Sequence, residues 1–281
     1  MKKHRLHLLL FLLTLFSTFF TGWISGHNLL DGLFYSLGIM SILLAHEMGH
    51  FIMARKYGVP VTLPYFIPLP ISPFGTMGAI IRMGGRIPNR RVLFDIGVAG
   101  PLAGLAFIVP VTMIGLRLSQ IVEIDKLDEN VFTLGESLFF KILAYLSVGP
   151  IGQNQDIILH PLAYAGWVGL FVTALNLLPI GQLDGGHILY ALFHKKSKWL
   201  SALFYGIFLY ILLFHFAGWI LFIILLAIFH KHPPTIHDGI TLDPQRRILG
   251  SMVLLLFILS FTPVPFDFGE GLIPILKEFF N

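Results

Sequence analysis

The sequence of 281 residues contains no cysteine. That excludes structural disulfides, thiolate metal sites and cysteine nucleophiles, so any metal ion must be held by histidine and carboxylate. Charge is scarce too. Asp, Glu, Lys and Arg make up 12% of the chain, against 56% hydrophobic residues and a mean hydropathy of +0.80. A soluble domain carries about 25% charged residues. Half that share, with recurrent uncharged apolar runs, describes an integral membrane protein with several spans. The net charge of +4 is no nucleic-acid signature, because Lys and Arg gather at the ends of apolar segments, where membrane topology places them.

Apolar runs at 8–24, 32–54, 92–116, 161–178 and 248–261 each read as one span. The first follows the basic "MKKHR" and reads as an uncleaved span, since no small-x-small cleavage site closes it. Residues 199–229 would reach roughly 46 Å as one helix at 1.5 Å per residue, against a hydrocarbon core of about 30 Å. They read as a hairpin turning near His215–Gly218. The stretch from Val59 to Arg90 is rich in proline and glycine, and "TMGAIIRM" within it has strand character, which predicts a re-entrant β-hairpin or loop at 59–90. Irregular backbone at membrane depth must be buried in protein or line a cavity. The expected fold is therefore an all-α polytopic membrane protein of about seven transmembrane helices. It divides into an N-terminal segment at 1–30, a membrane core at 31–190, and a C-terminal hairpin and last span at 191–281.

Residues 117–156 are the least apolar stretch and hold Glu123, Asp125, Asp128, Glu129 and Glu136, with "ESLFFKILAYLS" as an amphipathic surface helix. With seven spans, Lys2, Lys3, Arg5, Arg55, Lys56, Arg82 to Arg91, Lys195, Lys196, Lys198, Lys231, Arg246 and Arg247 share one side, and the acidic stretch takes the other. The positive-inside rule makes the basic side cytoplasmic. Trp23, Trp167, Trp199 and Trp219 are candidate interface anchors.

The second run contains "HEMGH", His46-Glu47-Met48-Gly49-His50. On a helix His46 and His50 are one turn apart and face the same way, with Glu47 close to that side. This is the H-E-x-x-H arrangement, in which two imidazoles ligate zinc and the glutamate, as general base, takes a proton from water on the metal. Chance, with polar groups merely packing helices, is the bland reading, but a buried Glu is costly unless compensated. A catalytic zinc takes three protein ligands and leaves one position open. A third histidine of the longer H-E-x-x-H-x-x-G-x-x-H form would stand at Lys56, and no acidic residue lies between Glu47 and Asp95. Asp184 and Asp95 remain. Asp184 is favoured, because Pro179, Gly181, Gly185 and Gly186 break the helix around it; Asp95 reads as a helix-start residue beside Arg90 and Arg91. His160 and His187 read as helix-end or supporting hydrogen-bond partners, and His215, His230, His232 and His237 as interfacial or loop residues.

"HEMGHF" followed by "NLLPIGQLDGGH" resembles the site-2 protease family of intramembrane zinc metalloproteases. "FGTMGAIIRM", "PNRRVLFDIGVAGPLAG", "LHPLAYAGWVGLFVTALN" and "HPPTIHD" are similar to the branch with plastid and cyanobacterial members, so the likeness covers about residues 35–265. The resemblance implies one zinc ion per chain on His46, His50 and Asp184, Glu47 as catalytic base, and Asn176 engaging the substrate near the scissile bond. Many family members carry a PDZ domain, for which 117–156 is too short and too apolar.

A helical substrate must open before it is cut, and an extended segment could then add to a strand edge. Thr76, Met77, Gly78, Ala79 and Ile80 form the candidate edge, with an ordinary structural hairpin as the alternative. The expected partners are transmembrane protein substrates and the lipid bilayer, with no nucleic acid and an open oligomeric state. The expected location is a bacterial inner membrane, with the active site toward the cytoplasm. A membrane metal transporter and a non-catalytic scaffold for membrane clients are the rival functions. The first needs polar residues at several depths, and an intact Glu47 argues against the second.

Overall fold

The computed structural model describes residues 2–126, 133–229, 232–267 and 270–275, with side chains from Arg5 onward. Asp128, Glu129, His230 and Lys231 lie outside the described residues, as do the side chains of Lys2 and Lys3. The chain forms two compact units. One comprises 1–85, 99–127 and 140–173; the other comprises 86–98, 128–139 and 174–281.

In the first unit the N-terminal apolar runs fold as α1 (Lys2–Gly26) and α2 (Leu29–Lys56). Asn28 starts α2 by accepting the Leu30 N–H at 3.1 Å, which satisfies a donor the first turn cannot. The two helices approach closely through glycine: a Cβ on Gly32 would sit 2.7 Å from the Phe19 carbonyl oxygen, and one on Gly22 2.7 Å from the Tyr35 Cβ. The hydroxyls of Thr18 and Ser36 meet at 2.8 Å, buried between them. Small residues and hydroxyl pairs take over where apolar surroundings give helices no hydrophobic reason to associate.

Strands β1 (Tyr65–Pro68) and β2 (Thr76–Ile80) form an antiparallel hairpin, with Tyr65 opposite Ile80 and Pro68 opposite Thr76. Its turn docks on α1. The Ser17 hydroxyl donates to the Gly75 carbonyl at 2.6 Å, and the Tyr35 hydroxyl to the Phe74 carbonyl at 2.8 Å. Gly75 has φ +70°, and a Cβ there would lie 2.6 Å from the Thr21 Oγ1. Glycine is thus required twice over, for backbone conformation and for space.

Helix α3 (Arg90–Leu118) carries Pro101 and Pro110 within it and begins in the second unit. Beyond it, β3 (Gln120–Glu123) pairs antiparallel with β4 (Gln155–Ile158). The amphipathic stretch forms α4 (Leu138–Val148), which buries Phe140, Leu143 and Ala144 and exposes Ile142, Tyr145 and Leu146. Helix α5 (Pro161–Asn176) packs on α3 through Gly166, where a Cβ would collide with Thr112. Trp167 is 2% exposed, its ring stacked on Tyr164 and Phe171. Trp219 is 5% exposed and donates its indole N–H to the Pro263 carbonyl at 2.8 Å. These two tryptophans are core residues rather than interface anchors, because aromatic rings pack against each and the Trp219 N–H has its carbonyl acceptor. Trp199, at 83%, is exposed.

The second unit holds α6 (Asp184–Phe193), α7 (Ser197–Phe214), α8 (Ile220–Ile228) and α9 (Pro244–Ser260). The run 199–229 breaks after Phe214, with a short 3-10 turn at Ala217–Trp219. Among the described residues, four helical stretches are long and apolar enough to cross a membrane: Arg5–Gly26, Leu29–Lys56, Arg90–Leu118 and Asp184–Phe214. Helices α4, α5 and the stretch Ala217–Ile228 are apolar but shorter. At 1.5 Å per residue the 16 residues of α5 reach about 24 Å. Length and composition mark these four as able to span, and a count of seven would further require shorter helices to cross.

Candidate metal centre

Helix α2 delivers the motif. Its spacing puts the imidazoles of His46 and His50 one turn apart, and their Nε2 atoms lie 3.2 Å from each other with the rings inclined at 69°. Exposure is 4% for His46, 6% for Glu47 and 6% for His50. Burying three such side chains on an apolar helix costs several kcal/mol unless they are compensated. A cation held by the two imidazoles would supply such compensation. Two nitrogens bound to one tetrahedral zinc at about 2.0–2.1 Å stand about 3.3 Å apart, so the observed pair fits a shared ion with no rearrangement.

Helix α3 makes room for the rings. Within "GVAGPLAG", a Cβ on Gly100 would fall inside the His50 imidazole, and one on Gly104 would stand 3.2 Å from the His46 Nδ1. Gly49, between the histidines, faces the Ala99 carbonyl at a distance no Cβ could occupy. The small residues that read as helix-packing positions are more specific than that. Two of them form a cradle shaped for the two imidazoles.

The other predicted ligand belongs to the second unit. Helix α5 ends at Asn176, and after a turned segment Asp184 opens α6. Gly181 has φ +57°, and a Cβ on Gly185 would collide with the Leu177 carbonyl. The proline and glycines noted in the sequence thus fold the chain tightly back on itself just ahead of Asp184, and both Asn176 and Asp184 are partly buried. Asp95 is engaged elsewhere. Both its oxygens accept from Arg246, from Nε and from a terminal nitrogen, each at 2.7 Å. Its cationic partner is Arg246 of α9 rather than the adjacent Arg90 or Arg91, which donate to the carbonyls of Asp238 and Thr241. The Arg246 guanidinium is held well above its ordinary range by hydrogen bonds to Asp95 and then Asp243.

His160 caps α5, its Nδ1 accepting the Leu162 N–H at 3.2 Å. His215 terminates α7, and His237 bridges to Asn89 in a loop. His187 Nδ1 meets His232 Nε2 at 2.7 Å. That separation is too short for two ligands of one ion and is a hydrogen bond. Along β2, Thr76 is buried and its hydroxyl donates to the Ile67 carbonyl, while Met77 and Ile80 are 54% and 52% exposed. Ala79 faces Phe66 across the ladder. Gly78 has φ +92° and open space where a side chain would be. The sheet has only β1 and β2, so one edge of β2 carries no strand among the described residues.

Sequence reasoning did not connect Tyr190, His232 and Asp238, which cluster in the second unit. The only signal was the segment "HPPTIHD", noticed as a motif without a role. Tyr190 and His232 also line a cavity of about 650 Å³ with Gly181, Gly186, Lys198 and Tyr205.

Residues 34–229 match the family model described as Peptidase family M50. That span is more than half of the chain. The chain belongs to peptidase family M50. The site-2 protease resemblance carried by "HEMGHF" and "NLLPIGQLDGGH" is thereby a family membership. This M50 member is 33% identical over 249 residues to "Probable zinc metalloprotease EGY1, chloroplastic" of Arabidopsis thaliana, covering 83% of the chain and 43% of that relative. It is 37% identical over 169 residues to the protein of the same name from Oryza sativa subsp. japonica, covering 57% and 28%. To "Probable zinc metalloprotease EGY2, chloroplastic" of Arabidopsis thaliana it is 31% identical over 253 residues, covering 85% and 43%. The chain thus spans less than half the length of these relatives.

Proposed function

We propose that this M50 member is an intramembrane zinc endopeptidase that hydrolyses peptide bonds within or near transmembrane helices of membrane-protein substrates, as in regulated intramembrane proteolysis. The observation that carries the reading is the buried His46–His50 pair at 3.2 Å on an apolar helix, with Glu47 buried beside it. Asp184 is the third ligand in this reading. In it His46 and His50 supply the two imidazoles of one helix turn, and the Asp184 carboxylate completes the three protein ligands a catalytic zinc takes.

Zinc, when bound, supplies the Lewis acidity that activates water and polarises a peptide carbonyl. Glu47 takes the proton from the attacking water and passes it to the leaving amine nitrogen. The Asn176 amide donates to the substrate backbone near the scissile bond. The substrate lies extended along the free edge of Thr76–Ile80, where Gly78 lets a second backbone come close. Seven crossings with a re-entrant hairpin at 59–90, the division at 1–30, 31–190 and 191–281, and a cytoplasmic-facing site belong to the same reading. The bilayer of residence is a bacterial inner membrane in this proposal; the named relatives are chloroplastic.

The test uses the full chain in detergent or lipid nanodiscs with a single-span substrate. Glu47→Gln is expected to keep zinc, measured by elemental analysis, and to lose cleavage by at least ~100-fold, the low end of what a general base contributes. Parent-like turnover by Glu47→Gln would overturn the base assignment. Zinc transport into liposomes without proteolysis would overturn the enzyme reading.

A further inference from the structure

Helix α6 has only ten residues, below the length at which a helix holds itself in water. Its start at Leu183 has no side-chain cap, and its end at His194 has φ +49°. Something else must fix its rotation, and the loop 232–243 meets it at successive turns. One turn after Asp184, the His187 Nδ1 bonds the His232 Nε2 at 2.7 Å. One turn further, the Tyr190 hydroxyl donates to Asp238 Oδ2 at 2.8 Å, and its ring lies flat on His232 with centroids 4.2 Å apart. The Ala191 carbonyl accepts from Arg90 at 3.3 Å, and the same guanidinium donates to the Asp238 carbonyl at 2.7 Å.

The loop is itself anchored. The Thr235 hydroxyl and N–H both donate to Asp238 Oδ1, at 2.5 and 3.2 Å, and His194 stands 3.6 Å from the other oxygen. The N–H groups of Ile236 and His237 donate to the carbonyls of Ile87 and Pro88 at 3.0 and 2.9 Å. On the helix side, Gly97 of α3 lets His187 approach, since a Cβ there would already stand 3.3 Å from the His187 Cβ. Residues 184, 187, 190 and 191 lie on one face of an α-helix. The polar contacts therefore fall on the face that carries Asp184, and directional hydrogen bonds fix rotation about the axis in a way apolar packing does not.

We propose that the 232–238 loop, acting through His232 and Asp238 together with Arg90, is a positioning device that sets the rotation of α6 and hence the aim of the Asp184 carboxylate. The inference rests on the reading of Asp184 as a metal ligand. His232, Asp238, Tyr190 and Arg90 are positioning residues and touch no reacting atom in it. Metal sites depend on such outer partners for about 10–100-fold in affinity.

The experiment follows zinc transfer from the full-length protein in nanodiscs to a chromogenic chelator, beside thermal unfolding. Tyr190→Phe, Asp238→Asn and His232→Ala are expected to release zinc ~10-fold faster than the parent while unfolding near the parent temperature. His232→Gln, whose amide can again bond His187, is expected to restore much of the retention. Asp184→Ala separates the two levels. If Asp184→Ala keeps zinc like the parent, the ligand reading fails and the proposal with it. If Asp184→Ala loses zinc but the three loop variants release it at the parent rate, the positioning role alone is overturned. Should Asp238→Asn fail to fold, Tyr190→Phe, which removes one oxygen, decides.

Discussion

A methyl group added at Gly100 would claim the space of the His50 ring, and nothing nearby can yield except that ring or the α3 backbone. Gly100→Ala is therefore expected to push His50 out of line and to lower bound zinc, measured by elemental analysis, by ~10-fold or more in affinity. Gly206→Ala is the control, because a Cβ there meets nothing within 4 Å, and it should leave zinc content unchanged. The same scale separates the two glycines of the hairpin. Gly75→Ala combines a left-handed φ of +70° with collisions on α1, and it is expected to cost about 1–3 kcal/mol in unfolding free energy. Gly78→Ala has φ +92° but open space, so its cost is that of conformation alone and should be the smaller of the two. The meeting of His46 and His50 was legible at this scale because a four-residue spacing is a local property of one helix. The cradle was not, since Gly100 and Gly104 acquire their meaning only from the rings they face.

At the scale of elements, the fold is held by polar fasteners placed at helix ends. Arg246 sits 32% exposed and Asp95 13% exposed, joined by two hydrogen bonds at 2.7 Å across 151 residues of sequence. Arg246→Met keeps much of the stem and deletes both bonds, leaving a mostly buried carboxylate without its guanidinium. The expected loss is about 2–4 kcal/mol, measured by reversible denaturation in detergent. Asp95 could be placed at a helix start from sequence, but its partner could not be, because α9 approaches only after the intervening chain has folded. The helices themselves were readable from apolar runs, and the break at His215 from excess length. Core and interface tryptophans were not distinguishable, as Trp167 and Trp199 differ by their neighbours and not by their local sequence.

For the molecule as a whole, acid stability reports on the loop beside α6. Burial pushes His232 down to about 4 from an ordinary 6.5, opposed more weakly by the Pro233 carbonyl and Asp238. The unfolded chain therefore binds more protons than the folded one between those values. Stability is full above pH 6.5 and declines as pH falls from 6.5 toward 4. Asp238 acts lower. Burial alone would raise its carboxyl, but hydrogen bonds from Thr235 and Tyr190 and the nearby His194 outweigh burial and hold it below the ordinary 3.8. Its contribution is present above that value and lost only as pH falls through the lowered one. Thermal unfolding of the parent between pH 7 and pH 4 should show the histidine loss, and His232→Gln should flatten it. An equal pH slope in both proteins would assign the acid sensitivity elsewhere.

The sequence by itself determined the solvent this protein is built for, the helix that carries His46, Glu47 and His50, and the break that precedes Asp184. Each follows from composition, from a 3.6-residue repeat, or from proline and glycine acting on their own neighbours. Tertiary structure alone decided which glycines receive the imidazoles, that Arg246 and not Arg90 holds Asp95, and that "HPPTIHD" lies along the helix of Asp184. Those are encounters between segments up to about 150 residues apart, and no local pattern records them, because the forces that select them act only between surfaces the fold has already brought together.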